Sequence, residues 1–405
     1  MAKLVKREYR TPFILVTLLF FIWGFARAIM DVLNKHFQME MGISISQSTW
    51  VQGTFFLGYF LFALPAGRFL MKYGYHKGMV FGLSLFALGA LTFGLGSFLF
   101  VEGTVPLFYF FLVTLFVIAS GLVMLEIAAN PFVTYLGDKE SAASRLNFAQ
   151  SFNGLGNIFG PWIGGLLLFS GNDGDITLPY LCFGILVTLA TLAFLRVKLP
   201  EIHEEEETDM GDLHSLWQHK LFVFGFVALL FYEIAEISIN SLFINYAESV
   251  QGIEKLSASK WLSVGFVLFM LARFVGSWLM NHMRTELLLL LCATGTVVAN
   301  VLILMNLGKV SMIALMLNFV FEAIMFPTIF TFALRGLGKL TKRASSILMM
   351  STIGGAIGTM LMGVIGDLTS LSVAFIIPLI GYIVVMAYSW RVNTVISGQA
   401  SRRKL

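Results

Sequence analysis

Apolar segments long enough to cross a lipid bilayer recur along the whole 405-residue chain. A transmembrane helix needs about 20 predominantly apolar residues to cross roughly 30 Å of hydrocarbon. The hydropathy pattern predicts twelve such spans, at residues 12–35, 47–70, 78–98, 105–135, 144–169, 178–195, 219–247, 259–280, 286–305, 310–335, 344–366 and 372–391. Since the loops between them are mostly short, we expect an all-α integral membrane protein with no separate soluble domain.

The composition supports the same class of protein. Hydrophobic residues make up 58% of the chain and charged residues 12%, and the mean hydropathy is +0.84, values outside the range of soluble domains. Both cysteines, Cys182 and Cys292, lie inside predicted spans, so no disulfide framework is expected. The first apolar run is too long and too charged for a secretory signal peptide and is predicted to remain as helix one.

The distribution of basic residues predicts the orientation in the membrane. The two tails and the even-numbered loops, with the span ends that adjoin them, hold 21 of the 27 Lys and Arg residues, whereas the odd-numbered loops with their adjoining span ends hold four, and Arg27 and Arg273 lie deeper within spans. Because cytoplasmic loops carry the excess of Lys and Arg, we expect both termini in the cytoplasm of a multi-pass bacterial inner-membrane protein. The net charge of +4 therefore reflects orientation and does not indicate a nucleic-acid partner.

One long hydrophilic segment, EIHEEEETDMGD at residues 201–212, divides the chain. The predicted organisation is an N-terminal six-helix bundle at residues 1–200, an acidic cytoplasmic linker at 201–218 and a C-terminal six-helix bundle at 219–405. The main interpretation of the acidic segment is a solvated connection between two bundles. The alternative is a regulatory or metal-binding tract built on His203 and His214.

The two halves of the chain are distant copies of each other. The segment GRFLMKYG begins at Gly67 and GSWLMNHM begins at Gly276, and aligning the two glycines places Asp31 opposite Asn240 and Arg27 opposite Glu236. In the same way EIAANP at residues 126–131 matches EAIMFP at residues 322–327. Helices four and ten are therefore both predicted to carry a mid-span glutamate before a proline kink.

Polar side chains inside the spans fall on single helix faces. A charged side chain near the bilayer centre costs about 2.5 to 3.5 kcal/mol even on the mildest scale, so it must face protein or water. The helical spacings that place such residues together are Arg27 with Asp31, Glu233 with Glu236 and Asn240, Glu126 with Asn130, and Gln150 with Asn153. These stripes predict a central polar cavity, although Gln150 and Asn153 are also suited to interhelical hydrogen bonds.

The predicted cavity suits a polyhydroxylated ligand. Carboxylates, amides and an arginine offer donors and acceptors for hydroxyl groups, and the aromatic faces of Trp23, Phe152 and Trp162 can stack on a sugar ring. Two series of glycines are better explained by close helix packing than by a phosphate-binding loop, because both lie inside predicted spans. They are Gly154, Gly156, Gly160 and Gly164, and Gly354, Gly355, Gly358 and Gly363.

Five segments together resemble the fucose/proton symporter family of the major facilitator superfamily, which also contains glucose/galactose transporters. They are FFIWGFARAIMDVLN, GYFLFALPAG, LEIAANPF, RLNFAQSFNGLG and FPTIF, and the resemblance extends from about Phe20 to Arg391. It implies two pseudo-symmetric six-helix bundles with a substrate site between them near the bilayer midplane. It also implies substrate binding and proton coupling at Asp31 and Glu126, and sugar contacts at Gln150 and Asn153.

The chain departs from the family pattern at several positions. Met71 stands where the superfamily signature after helix two usually has an acid, and Arg27 stands where fucose transporters have asparagine. Glu233 and Glu322 are not expected in the glucose/galactose branch. The resemblance therefore leaves the identity of the sugar open.

The sequence assigns different roles to the two N-terminal carboxylates. Arg27 lies one helical turn from Asp31, so it should keep Asp31 ionised, and it also offers a planar fork to sugar hydroxyls. No basic residue lies within reach of Glu126 along its own helix, which makes Glu126 the first choice for the coupling proton. A purely structural pairing of Arg27 with Asp31 is the alternative. Arg273 is expected to extend to the membrane interface.

The predicted function is import of a hexose-type monosaccharide, such as glucose, galactose or fucose, by cation symport through alternating access. The proton is the favoured coupling ion and sodium the alternative, and no cofactor, metal or nucleic acid is expected. The predicted proton-coupling residues are Glu126 and Asp31, and the predicted substrate contacts are Trp23, Arg27, Asp31, Asn130, Gln150, Asn153, Glu236 and Asn240, with Glu233 and Glu322 as further candidates. The lipid bilayer is the expected environment and a single chain the expected functional unit.

Other functions fit the sequence less well. An enzyme would need a nucleophile with a base or a set of metal ligands, but the six histidines lie in loops or near span ends without metal-binding spacing. A receptor derived from a transporter would carry an added signalling domain. An uncoupled sugar uniporter and a proton-driven exporter remain as alternatives within transport.

Overall fold

A computed structural model describes residues 5, 7–101, 104–137, 142–170, 177–197, 213–280, 282–337 and 340–402. Every regular element in these residues is helical. The first helices are α1 Arg10–Met41, α2 Ile45–Ser48, α3 Trp50–Gly94, α4 Gly96–Leu99, α5 Val105–Tyr135, α6 Ala142–Phe169, α7 Thr177–Arg196 and α8 Leu213–Gln218. The later ones are α9 Lys220–Ser249, α10 Lys255–Leu279, α11 Thr285–Leu304, α12 Lys309–Glu322, α13 Met325–Ala333, α14 Thr341–Met349, α15 Ile353–Leu368, α16 Leu371–Ala374 and α17 Ile376–Arg402.

Ten helical segments of the described chain are long and apolar enough to cross a membrane by length and composition. The segment Ile45–Gly94 contains two of the predicted spans, and its backbone breaks at Gly74 (φ 82°, ψ 169°), a conformation that favours glycine. The predicted span 144–169 corresponds to α6, whose asparagines and glycines keep its hydropathy below that of the ten. The prediction of an all-α protein with many membrane spans is confirmed.

The chain forms two compact units. Unit 1 comprises Met1–Ser44, Trp50–Glu206 and Lys255–Ser263, and unit 2 comprises Ile45–Thr49, Glu207–Glu254 and Val264–Leu405. The predicted domain boundaries at residues 200 and 218 stay a prediction. The acidic segment 201–212 lies outside the described residues, and α8 occupies the last six residues of the predicted linker.

In unit 1 small residues bring α1 and α6 into close contact. A methyl group added at Gly156 would meet the carbonyl oxygen of Phe21 and, at 2.6 Å, the backbone nitrogen of Phe25. At Gly160 the same group would lie 2.8 Å from the Ala28 Cβ. The predicted packing role is therefore confirmed for these glycines, which allow the two backbones to touch.

In unit 2 the same kind of contact joins α9 and α15. A Cβ added at Gly354 would meet the carbonyl oxygen of Leu230, and one at Gly358 would lie 2.8 Å from the Ile234 Cα. The two close pairs involve predicted helices one and five in unit 1, and seven and eleven in unit 2. This correspondence agrees with the repeat seen in the sequence.

Replacing Gly156 by alanine should destabilise unit 1, because the new methyl group meets backbone atoms that cannot rotate away. Overpacking of this kind costs about 1–3 kcal/mol. We expect the variant to unfold at a lower temperature than the wild type in a thermal-shift assay in detergent. The matched control is Gly67→Ala on α3, where no atom lies within 4 Å of the added Cβ. Equal melting temperatures for the two variants would contradict the packing role.

Candidate functional site

Three helices of unit 1, α1, α5 and α6, carry the predicted N-terminal site residues. Trp23, Arg27 and Asp31 follow one another at four-residue intervals on α1, so their side chains share one face. Asp31 is buried with 8% exposure, and Arg27 is half-buried. The opposing helices α5 and α6 supply the remaining predicted side chains of this unit.

The Arg27 guanidinium acts electrostatically on the Glu126 carboxyl group of α5. Its Cζ atom also lies 5.7 Å from the centroid of the Phe56 ring on α3. Basic residues along the same helix as Glu126 gave no sign of this cation, which reaches the carboxyl group from α1. Arg27 thus acts on a carboxyl group of a neighbouring helix, and its pairing with Asp31 stays a prediction.

Tyr59 on α3 is a further member of this cluster that the sequence analysis missed. Its hydroxyl group is within electrostatic range of Arg27 and Glu126, and the indole of Trp23 lies beside it. Trp23 Nε1 and the Tyr59 hydroxyl are both buried, and neither makes a hydrogen bond of ordinary geometry within the described residues. Tyr59 lies in the family segment GYFLFALPAG, and a phenol in an apolar span was the signal that could have identified it.

The amides of α6 join this helix to its neighbours. Gln150 Nε2 donates a hydrogen bond to Asn130 Oδ1 on α5 at 3.0 Å, and Asn153 Nδ2 donates to the Phe20 carbonyl on α1 at 3.3 Å. Asn157 Nδ2 in turn donates to Asn153 Oδ1 at 3.4 Å. The interhelical role that the sequence left open for Gln150 and Asn153 is therefore present, and their role in binding substrate stays a prediction.

Arg145, part of the family segment RLNFAQ, is fully buried and binds the end of α5. Its Nε donates to the Val133 carbonyl at 3.1 Å and its Nη2 donates to the Thr134 carbonyl at 2.5 Å. The last carbonyl groups of a helix have no partner within that helix, so they need such donors. Arg145 fixes the end of the helix that carries Glu126.

The predicted C-terminal site residues lie on α9 and α12 of unit 2. Glu233 and Asn240 are buried, with 3% and 6% exposure, and Glu236 is half-buried. Glu322, the last residue of α12, is completely buried, and its Oε2 accepts a hydrogen bond of 2.6 Å from the Tyr382 hydroxyl of α17. Tyr382 was not predicted from the sequence.

Predicted helix ten is interrupted beside Glu322, whereas α5 continues past its own Pro131. Pro327 has no N–H to give to the carbonyl of residue 323, four positions earlier. Arg273 Nε of α10 donates to this Ala323 carbonyl at 3.1 Å, and the Tyr232 hydroxyl of α9 donates to the Glu322 carbonyl at 3.3 Å. Arg273, expected only to reach the membrane interface, thus satisfies a carbonyl group that the proline leaves open.

Charged side chains buried among membrane-spanning helices are typical of transporters, and both units contain them. The fold and these clusters define a multi-pass membrane transport protein. A family model described as Major Facilitator Superfamily matches residues 13–352. The chain belongs to this superfamily, and it is a transporter rather than an enzyme.

Relatives of known name match nearly the whole chain. A glucose/galactose transporter of Brucella abortus is 32% identical over 395 residues, which cover 95% of this chain and 94% of the relative. An L-fucose-proton symporter of Haemophilus influenzae is 30% identical over 427 residues, covering 96% and 98%. The solved outward conformation of the transporter FucP is similar with a TM-score of 0.70 at 30% identity, covering 95% of this chain and 99% of FucP. The family resemblance seen in the sequence is confirmed.

Replacing Arg273 by methionine should destabilise unit 2, because the buried carbonyl group of Ala323 loses its donor. An unsatisfied buried acceptor costs about 1–3 kcal/mol. Adding Pro327→Ala should recover part of this loss, because an alanine at that position supplies the N–H that proline lacks. The measurement is a double-mutant cycle of melting temperatures. Strictly additive effects of the two substitutions would show that Arg273 does not act through this carbonyl group.

Proposed function

We propose that this protein imports a hexose-type monosaccharide by symport with a proton. The observation that carries the proposal is the cluster of unit 1, in which Glu126 interacts electrostatically with Arg27 and Tyr59, and Tyr59 lies beside Trp23. Two relatives that match almost the full length are named glucose/galactose transporter and L-fucose-proton symporter. These names support a sugar as the substrate and a proton as the coupling ion.

The polar groups of this cluster suit sugar hydroxyls. Trp23 Nε1 and the Tyr59 hydroxyl are buried beside each other and make no hydrogen bond of ordinary geometry in the described chain, and leaving such groups poorly paired is costly. A hydroxylated ligand supplies acceptors to both, and the indole face also stacks on the C–H surface of a sugar ring. We assign Trp23, Arg27, Asp31, Asn130, Gln150 and Asn153 to sugar binding, and we add Tyr59.

In unit 2 we propose Glu236 and Asn240 as substrate contacts, with Glu233 as a further candidate. Asn240 is buried with 6% exposure, and its Oδ1 accepts no hydrogen bond within the described residues. A buried amide oxygen of this kind is suited to accept a hydrogen bond from a sugar hydroxyl.

Charge balance explains how a proton on Glu126 is coupled to transport. Arg27 carries one positive charge, whereas Asp31 and Glu126 together carry two negative charges when both are ionised. Moving an uncompensated charge through a low-dielectric environment is expensive, so protonation of Glu126 favours the change of access. We propose that sugar binds the protonated form of Glu126 more tightly, in which case the bound proton raises the affinity for sugar by the same factor as sugar raises the affinity for the proton.

The orientation follows from the basic residues of the sequence. We propose that both termini face the cytoplasm and that the transporter lies in a bacterial inner membrane, in agreement with the bacterial sources of the named relatives. We take a single chain as the functional unit.

Uptake into proteoliposomes tests the substrate and the coupling ion together. Labelled L-fucose, D-galactose, D-glucose and N-acetylglucosamine are each offered with an inward proton gradient, an inward sodium gradient or no gradient. We expect one sugar to accumulate only with the proton gradient and to be released by a protonophore. Accumulation driven only by sodium contradicts the proton as coupling ion, uptake that merely equilibrates contradicts symport, and absence of uptake contradicts the sugar class.

Glu126→Gln should abolish accumulation while preserving exchange of labelled for unlabelled sugar. An amide keeps the size and polarity of the protonated carboxyl group but cannot bind or release a proton. The matched control is Glu286→Gln at the start of α11, where the carboxylate lies 3.9 Å from Arg284 Nε and outside both clusters. A Glu126→Gln variant that still concentrates sugar would exclude Glu126 as the coupling residue.

A further inference from the structure

Glu322 is a completely buried carboxyl group with one side-chain donor among the described residues. The Tyr382 hydroxyl donates to its Oε2 at 2.6 Å. Its Oε1 is also buried and has no hydrogen-bond partner in the described part of the chain. An ionised carboxylate offers about four acceptor positions, and one neutral phenol cannot replace the water molecules that it loses on burial.

Among the described residues, the charge that acts on the Glu322 carboxyl group is a like charge. From α9 the side chain of Glu236 acts on Glu322 with the same sign of charge, and Tyr232 and Glu233 belong to the same electrostatic cluster. From α10 the cation of Arg273 acts on Tyr232 of this cluster, while its Nε binds the Ala323 carbonyl and its Cζ lies 4.6 Å from the centroid of the Phe269 ring. A neutral carboxylic acid is the form that fits these surroundings.

We propose that Glu322 is a second proton-binding site, held in unit 2 and separate from Glu126, and that it exchanges its proton during transport. The bound proton converts an uncompensated buried charge into a neutral acid that keeps its hydrogen bond with Tyr382. The repeat in the sequence supports the pairing of the two sites, because EAIMFP at residues 322–327 is the counterpart of EIAANP at residues 126–131.

The position of Glu322 in the fold provides a way to couple its proton to movement. It is the last residue of α12, immediately before the interruption that precedes α13. Its backbone carbonyl is bound by Tyr232 of α9 and its side chain by Tyr382 of α17, so three helices meet at this residue. A shift of any of these three helices changes the hydrogen bonds that Glu322 accepts. It therefore changes how readily the carboxyl group keeps its proton.

Infrared spectroscopy of the purified protein in lipid tests the bound proton without any sugar. A buried protonated carboxyl group gives a C=O stretching band that is separate from carboxylate bands and shifts in heavy water. We expect Glu322→Gln to remove one such band from the wild-type spectrum and Tyr382→Phe to move it to higher frequency, because the carbonyl loses a hydrogen bond. The matched control, Tyr232→Phe, should leave the band in place, because that hydroxyl binds only the backbone carbonyl. Unchanged carboxylic-acid bands in Glu322→Gln would overturn the proposal.

The second measurement, the number of protons carried per sugar, rests on the proposed function. In proteoliposomes the sugar gradient that just balances a known proton gradient gives this ratio. We expect a lower ratio in Glu322→Gln than in the wild type, and an unchanged ratio in Glu286→Gln. An unchanged ratio in Glu322→Gln would show that its proton is not exchanged. If no sugar is transported at all, the proposed substrate fails, while the infrared result still decides whether Glu322 binds a proton.

Discussion

The constraint on which this structure depends is that backbone polar groups inside a membrane must find partners within the protein. Helices meet this constraint along their length but not where they end or contain proline. Arg145 donates to carbonyl groups at the end of α5, and Arg273 and Tyr232 donate to those at the interruption between α12 and α13. These donors fix the two helices that carry Glu126 and Glu322, so the need to satisfy the backbone also positions the carboxyl groups.

Close packing between helices also helps polar groups inside the membrane to find partners within the protein. Glycines allow α1 to touch α6 and α9 to touch α15, and short amide side chains can then hydrogen-bond from one helix to the next. In unit 1 this packing brings the α6 amides to α1 and α5, which also hold Arg27 and Glu126. The amides that the sequence assigned to the ligand therefore also keep these helices in register, and a substitution there affects both roles.

The sequence predicted the features that depend on neighbouring residues along one helix. The membrane spans, the repeat, the glycine contacts and the mid-span glutamates all follow from hydropathy and spacing. It could not predict contacts between helices that are far apart in the chain, such as the effect of Arg27 on Glu126, the approach of Tyr59, or the bond from Tyr382 to Glu322. Pro131 and Pro327 also look equivalent in sequence, yet only the second coincides with an interruption, because tertiary packing decides how a helix accommodates a proline.

The two repeats surround their buried carboxyl groups with charges of opposite sign. In unit 1 a cation acts on Glu126, so its negative charge is partly balanced. The repeat alignment places Glu236 where unit 1 has Arg27, and Glu236 acts on Glu322 with a like charge instead. The difference in charge sign on the first helix of the repeat thus gives the two buried glutamates different surroundings, a cation beside Glu126 and a like charge beside Glu322. Two copies of one ancestral helix arrangement can in this way hold two proton sites that respond to different changes in their surroundings.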